Sequence, residues 1–152
     1  MSACHTARRV VTGLDADGKS CVIVDGPPVR MSGSGGMVWR TDAVPADNSG
    51  TQDIDDTPFD FAMMHSGGSG FMVVDYPPGM STFWHATDTI DYIVVLKGEV
   101  VLSLETGDVV LQPGDFVVDR GVNHAWRNDT AETATIAVIN LPAHPVGKGR
   151  TV

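Results

Sequence analysis

Short runs of β-branched residues, each closed by a turn signal, constrain this chain more than any other feature. Runs such as Ile93, Val94, Val95, Leu96 and Thr135 to Leu141 return roughly every eight to twelve residues, the rhythm of all-β barrels and sandwiches. The 17 glycines and 9 prolines fall largely between the runs. Strands are expected at Arg8–Thr12, Ser20–Asp25, Met37–Thr41, Thr82–Ala86, Asp91–Leu96, Glu99–Leu104, Val109–Leu111, Phe116–Val118, Val122–Arg127 and Thr135–Leu141. Phe61–His65 and Phe71–Tyr76 read as a further pair across a Ser/Gly turn. One domain is expected, divided into arm strands and loops (1–60), a β-barrel (61–141) and a loosely held tail (142–152).

The arm carries little chemistry. Arg8 and Arg9 are expected at the exposed end of an edge strand. The glycine-rich tract from Ser32 to Gly36 lacks the lysine and following helix of a phosphate loop. Asp53, Asp55 and Asp56 lack the glycine and bidentate glutamate of a calcium loop, so a solvated segment is expected. Cys4 and Cys21 stand at no metal-like spacing and form no disulfide framework.

A net charge of -9 repels phosphate backbones and anionic lipid, which excludes nucleic acid and membrane surfaces as natural partners. The N-terminus has no apolar core of a signal peptide, and no stretch is long and apolar enough for a membrane helix. A cytoplasmic protein is the expectation. The run around Ile93 is apolar on both faces and needs a cover beyond its own barrel, which predicts a homodimer.

Two blocks concentrate the polar residues that could do chemistry. The first runs from Gly79 through His85, Thr87 and Asp91 to Gly98; the second runs from Gly121 through His124 to Asn128. Strand alternation puts Phe83 and Thr87 on the face of His85, and Val122, Trp126 and Asn128 on the face of His124. Asp91 shares a face with Ile93 and Val95, where a lone carboxylate is costly unless paired or bound to a cation. The two histidines are its obvious partners. Phe83, Thr87, Trp126 and Asn128 are accordingly expected to line a pocket for a small organic molecule. His65, on a neighbouring segment, is expected to pack or face solvent rather than join the site.

Both blocks resemble the paired motifs of the cupin superfamily. Five residues separate Gly79 from His85, three separate Thr87 from Asp91, and six separate Asp91 from Gly98. Two residues separate Gly121 from His124, and three separate His124 from Asn128. The proline usual in the second motif is missing, with Asp119 or Arg120 in that neighbourhood. The resemblance implies a small single-domain cupin: an RmlC-like jelly roll, or double-stranded β-helix, with an N-terminal strand arm. It also implies a metal held by His85, Asp91 and His124, with Thr87 standing where a second histidine is usual. A two-histidine, one-carboxylate set suits Fe, and can take Mn, Ni or Zn. The implied function is a metal-dependent lyase, isomerase, decarboxylase or dioxygenase with His85, Asp91 and His124 as catalytic residues. A metal-free His/Asp acid–base site of epimerase or cyclase type, or a non-catalytic binding module, is the alternative.

Overall fold

The computed structural model describes residues 5–31, 35–56 and 59–152. Cys4 and residues 32–34 of the glycine-rich tract lie outside the described residues. The chain opens with an antiparallel hairpin, β1 (Arg9–Leu14) and β2 (Ser20–Gly26). Asp15 makes its turn: Oδ1 accepts from the backbone N–H groups of Asp17 and Lys19, both at 2.9 Å, and Gly18 takes a φ of 74°.

β3 (Val29–Arg30), β4 (Gly35–Arg40), a short helix α1 (Phe61–Met64), β5 (Gly70–Tyr76) and β6 (Thr89–Lys97) follow. β7 (Val100–Leu104), β8 (Gly107–Leu111), β9 (Phe116–Asp119), β10 (His124–Arg127) and β11 (Ala134–Pro142) complete the chain. They form a six-stranded sheet, β3-β4-β5-β11-β6-β9, and a three-stranded sheet, β10-β7-β8. Together these are the two walls of the jelly-roll barrel. Met72, Ile93, Val95, Val100, Leu102, Trp126, Ile136 and Val138 form its buried core.

β6 shows how the sequence sets the two faces. Thr89, Asp91, Ile93 and Val95 are buried, while Tyr92 and Leu96 are exposed, a period of two. Of the apolar residues on its outer face, Tyr92 and Leu96 are uncovered in a single chain, while Ile90 and Val94 are part-buried.

Two motif glycines are required by close approach. Gly121 has a φ of 76°, and a Cβ there would stand 2.2 Å from the Thr87 carbonyl oxygen. Its own carbonyl accepts from the Thr87 N–H at 3.3 Å, so it clamps the second block onto the first. Gly98, at a φ of 68°, would drive a Cβ to 2.9 Å from the Ala134 Cα.

Four expectations are corrected. Residues 61–65 form no strand: Asp60 caps a helical turn by accepting from the Ala62 N–H at 2.8 Å, and Ala and Met favour helix. β5 pairs instead with β4 and β11. Thr82–Ala86 is not a strand but makes a single bridge, His85 to His124. Arg9 is buried, not exposed. Its Nε donates to the Pro27 carbonyl at 2.9 Å and its Nη1 to Asp53 at 2.8 Å, which draws the acidic segment onto the arm. Arg8 is the exposed arginine and pairs with Asp25. Nor is the tail loose, because its polar backbone finds partners on the first block. Thr151 N–H donates to the Ala86 carbonyl at 2.9 Å, and Arg150 N–H donates to Asp88 Oδ1 at 2.8 Å.

Candidate functional site

A pocket of about 370 Å³ opens between the two sheets. Its walls are mostly apolar, with Met31, Met64, Met72 and Met80 beside Phe61, Phe83, Tyr76 and Trp126. The aromatic rings run almost continuously around it. Phe83 stacks on His85 at 5.3 Å, Phe61 lies 5.1 Å from the same ring, and Tyr76 stacks on Trp126 at 5.6 Å. The polar residues reaching it include His85, His124, Asp91 and Asn140.

The two histidines meet because the bridge between residues 85 and 124 joins both blocks. Each backbone N–H donates to the other's carbonyl, at 2.9 and 3.0 Å. Their rings stand 4.4 Å apart, centroid to centroid. His124 is held from behind by Asp119, whose Oδ2 lies 2.9 Å from its Nδ1, with both side chains buried. The Val122 carbonyl stands at the same 2.9 Å from that nitrogen. Asp119 is itself fixed, since Oδ1 accepts from the N–H groups of Gly121 at 3.0 Å and Val122 at 3.3 Å. Burial alone would lower the His124 pKa, but the Asp119 bond and charge outweigh it, and the pKa is raised.

His85 moves the other way. Burial first, then the neighbouring His124, lower its pKa. Its Nδ1 lies 3.1 Å from the Phe83 carbonyl, and a carbonyl can only accept. The proton of neutral His85 therefore sits on Nδ1, and Nε2 carries the lone pair. The same argument puts a proton on Nδ1 of His124, and its raised pKa favours a second on Nε2. One pocket thus sets a histidine biased toward its charged, donating form beside one biased toward its neutral, accepting form.

Asp91 lines the pocket but is tied sideways. Its Oδ1 accepts from the Thr89 hydroxyl at 2.8 Å, and Thr89 in turn bonds Thr87 at 2.8 Å. Burial raises its pKa, opposed by Asn140 and Thr89. Among the described residues, no three His, Cys, Asp or Glu side chains form a group that could hold a metal ion. His85, Asp91 and His124 share the pocket without closing into the three-ligand set that the resemblance implies. Asp119 holds Nδ1 of His124 from behind and leaves Nε2 free toward the pocket, and Thr89 engages one oxygen of Asp91.

Two of the expected pocket residues are placed elsewhere. Thr87 is buried behind the wall, where it supports Thr89 and through it Asp91. Asn128 lies past the end of β10, where alternation stops. Its Nδ2 donates to the carbonyls of Tyr76 and Glu132, and its Oδ1 accepts from Thr130, so it builds a turn. Phe83 and Trp126 do line the pocket. His65 accepts the Asp88 N–H at Nε2, 3.2 Å, away from the histidine pair. Asp119, Asn140 and Tyr76 are site residues that the motif spacing does not point to. The one sequence signal for Asp119 was a carboxylate near the missing proline of the second motif.

The chain belongs to the cupin superfamily: the family described as the Cupin domain matches residues 72–140. It is 35% identical to the phomopsin biosynthesis cluster protein C' of Diaporthe leptostromiformis, over 93% of this chain and 82% of that protein. It is 28% identical to the cupin-domain-containing oxidoreductase fogC of Aspergillus ruber, over 80% of this chain and 64% of that protein. Among solved structures, an RmlC-like cupin family protein from Methanocaldococcus jannaschii aligns with a TM-score of 0.45 at 17% identity, covering 49% of this chain and 70% of that one. No helix among the described residues is long and apolar enough to cross a membrane.

Proposed function

We propose that the pocket catalyses proton transfer on a small, largely apolar organic molecule, an isomerase- or cyclase-type reaction. One observation carries this reading: a buried carboxylate–imidazole pair, Asp119 and His124, faces a second imidazole, His85, across 4.4 Å in one pocket. Nε2–H of His124 serves as the acid at a carbonyl oxygen, and the lone pair of His85 Nε2 serves as the base at the adjacent carbon. An enol results, and the protons return in the second half of the reaction. Asp119 is a positioning residue: it fixes the His124 ring and favours its charged form. The apolar walls exclude water from the developing enol.

The test is deuterium exchange of the α-protons of 1-tetralone in D₂O, followed by NMR. The protein should accelerate exchange over buffer, and either His85→Gln or His124→Gln should remove about 100-fold of that rate. Identical rates for the protein and both variants would sink the reading.

A second reading, a metal-dependent enzyme, rests on the His85, Asp91 and His124 set that the family resemblance implies, and relatives named cupin-domain-containing oxidoreductases leave a redox reaction open to it. Exchange that is lost in excess chelator and restored by Fe, Mn, Zn or Ni would transfer the assignment to it. We also propose self-association through the outer face of the six-stranded sheet. Phe71, Ile139, Tyr92 and Val118 align there across four strands as an exposed, charge-free band. For a chain of net charge -9, such a band is where a second copy meets least repulsion. A light-scattering mass of one chain in dilute solution would rule this out.

A further inference from the structure

Asn140 is a buried amide whose hydrogen-bonding capacity is not used up. It is 3% exposed, no hydrogen bond of good geometry reaches its Nδ2 or Oδ1, and its one polar interaction of note is with Asp91, whose rise in pKa it opposes. Buried polar groups are overwhelmingly paired, and an unpaired one destabilises the protein that carries it. Its position explains why it is under-satisfied. On one side β11 pairs it with Gly70, which has no side chain to offer. On the other it stands opposite Asp91, whose Oδ1 is taken by Thr89. Asn140 lines the main pocket and also an adjoining cavity of about 230 Å³.

We propose that Asn140, beside Asp91, is a recognition subsite selecting a small, neutral, ring-bearing molecule whose polar group offers both a hydrogen-bond donor and an acceptor, as a primary amide does. An amide side chain can both donate to and accept from such a group. Phe61, Phe83, Tyr76 and Trp126 supply flat apolar walls for the ring. A carboxylate would bring a third carboxyl group beside Asp91 and Asp119 against the one positive charge that His124 can carry, in a chain of net charge -9, so a neutral group is favoured. This subsite rests on the same reading of the pocket as ligand-bearing, and it deepens the proposed function by naming what the pocket holds.

Titration calorimetry with three probes of one shape tests it: 2-naphthamide, 2-naphthoate and 2-isopropenylnaphthalene. The unmodified protein should bind the amide about 10-fold tighter than the hydrocarbon, the worth of one or two net hydrogen bonds. The naphthoate should bind more weakly than the amide. Asn140→Leu should abolish the preference for the amide while keeping affinity for the hydrocarbon. With the under-satisfied amide gone, the ligand-free Tm should rise by about 3 °C. Equal binding of amide and hydrocarbon by the unmodified protein overturns the proposal without any variant, and so does tighter binding of the naphthoate. A fall in Tm for Asn140→Leu, or its failure to fold, makes Asn140 a structural residue and also overturns it. Amide selectivity without ketone exchange would sink the acid–base reading alone; exchange without selectivity would sink this subsite alone.

Discussion

The two histidines of the pocket are held in opposite ways. His124 belongs to a strand, its ring is anchored by a buried carboxylate, and that carboxylate is anchored by two backbone N–H groups. His85 belongs to no strand. One bridge fixes its backbone, one carbonyl orients its ring, and Phe61 and Phe83 pack around it near the mouth, where Phe83 is 54% exposed. The second block therefore supplies a fixed, charge-stabilised group and the first a neutral one in a more adaptable setting. An acid needs a stabilised proton and a base needs a free lone pair, so the asymmetry suits both tasks at once.

The most disruptive way to break this contrast is to remove the anchor. Asp119→Ala leaves a buried imidazole without its partner and should cost about 3 kcal/mol in urea unfolding. Asp119→Asn should shift the His124 ring titration downward by NMR, a change that a purely structural role would not produce. A smaller effect should follow from Thr87→Val, which removes one hydroxyl from the chain that supports Asp91. It should lower stability by about 1 kcal/mol and leave the His124 titration in place.

The finest test is the sign of the pH dependence. The folded pKa of His124 is raised, so its contribution to stability is full below the unfolded value near 6.5 and is lost as pH rises through the folded value. The folded pKa of His85 is lowered, so its contribution is lost as pH falls below that same unfolded value. His124→Gln should therefore remove a loss of stability on the alkaline side, and His85→Gln one on the acid side. Unfolding midpoints followed across the histidine range would check both, and matching slopes for the two variants would contradict the contrast.

The barrel was readable because its information is local. The alternation along β6 answers to a constraint within the strand, and the motif glycines sit at fixed spacings that the sequence displays, although the reason for Gly121 is the distant Thr87 carbonyl, which leaves no room for a side chain. Alternation from His124 places Trp126, inside β10, at the pocket, whereas Phe83 reaches it from a segment that is no strand and Asn128 lies past a strand end, where alternation has no meaning. It also failed at Phe61–His65, where the Asp60 cap overrode a strand reading. The site was only half legible. His85 and His124 announce themselves by motif, whereas Asp119 and Asn140 matter through partners that only the folded sheet brings to them. Arg9 is the same lesson in the arm, because its burial depends on Asp53, 44 residues away.

The methionines of the pocket wall have a consequence for how the protein would meet unfamiliar guests. A thioether side chain is unbranched, turns about three bonds and is easily polarised, so Met31, Met64, Met72 and Met80 form a lining that reshapes by rotamer change. The cavity behaves less as a mould than as a padded grip, with its histidine pair as the rigid reference point. Broad tolerance toward ring size, combined with strict demands on the polar group, is the selectivity that such a grip produces. Peroxide should harden it, because sulfoxides at these positions are polar and would repel the guests that the thioethers welcome.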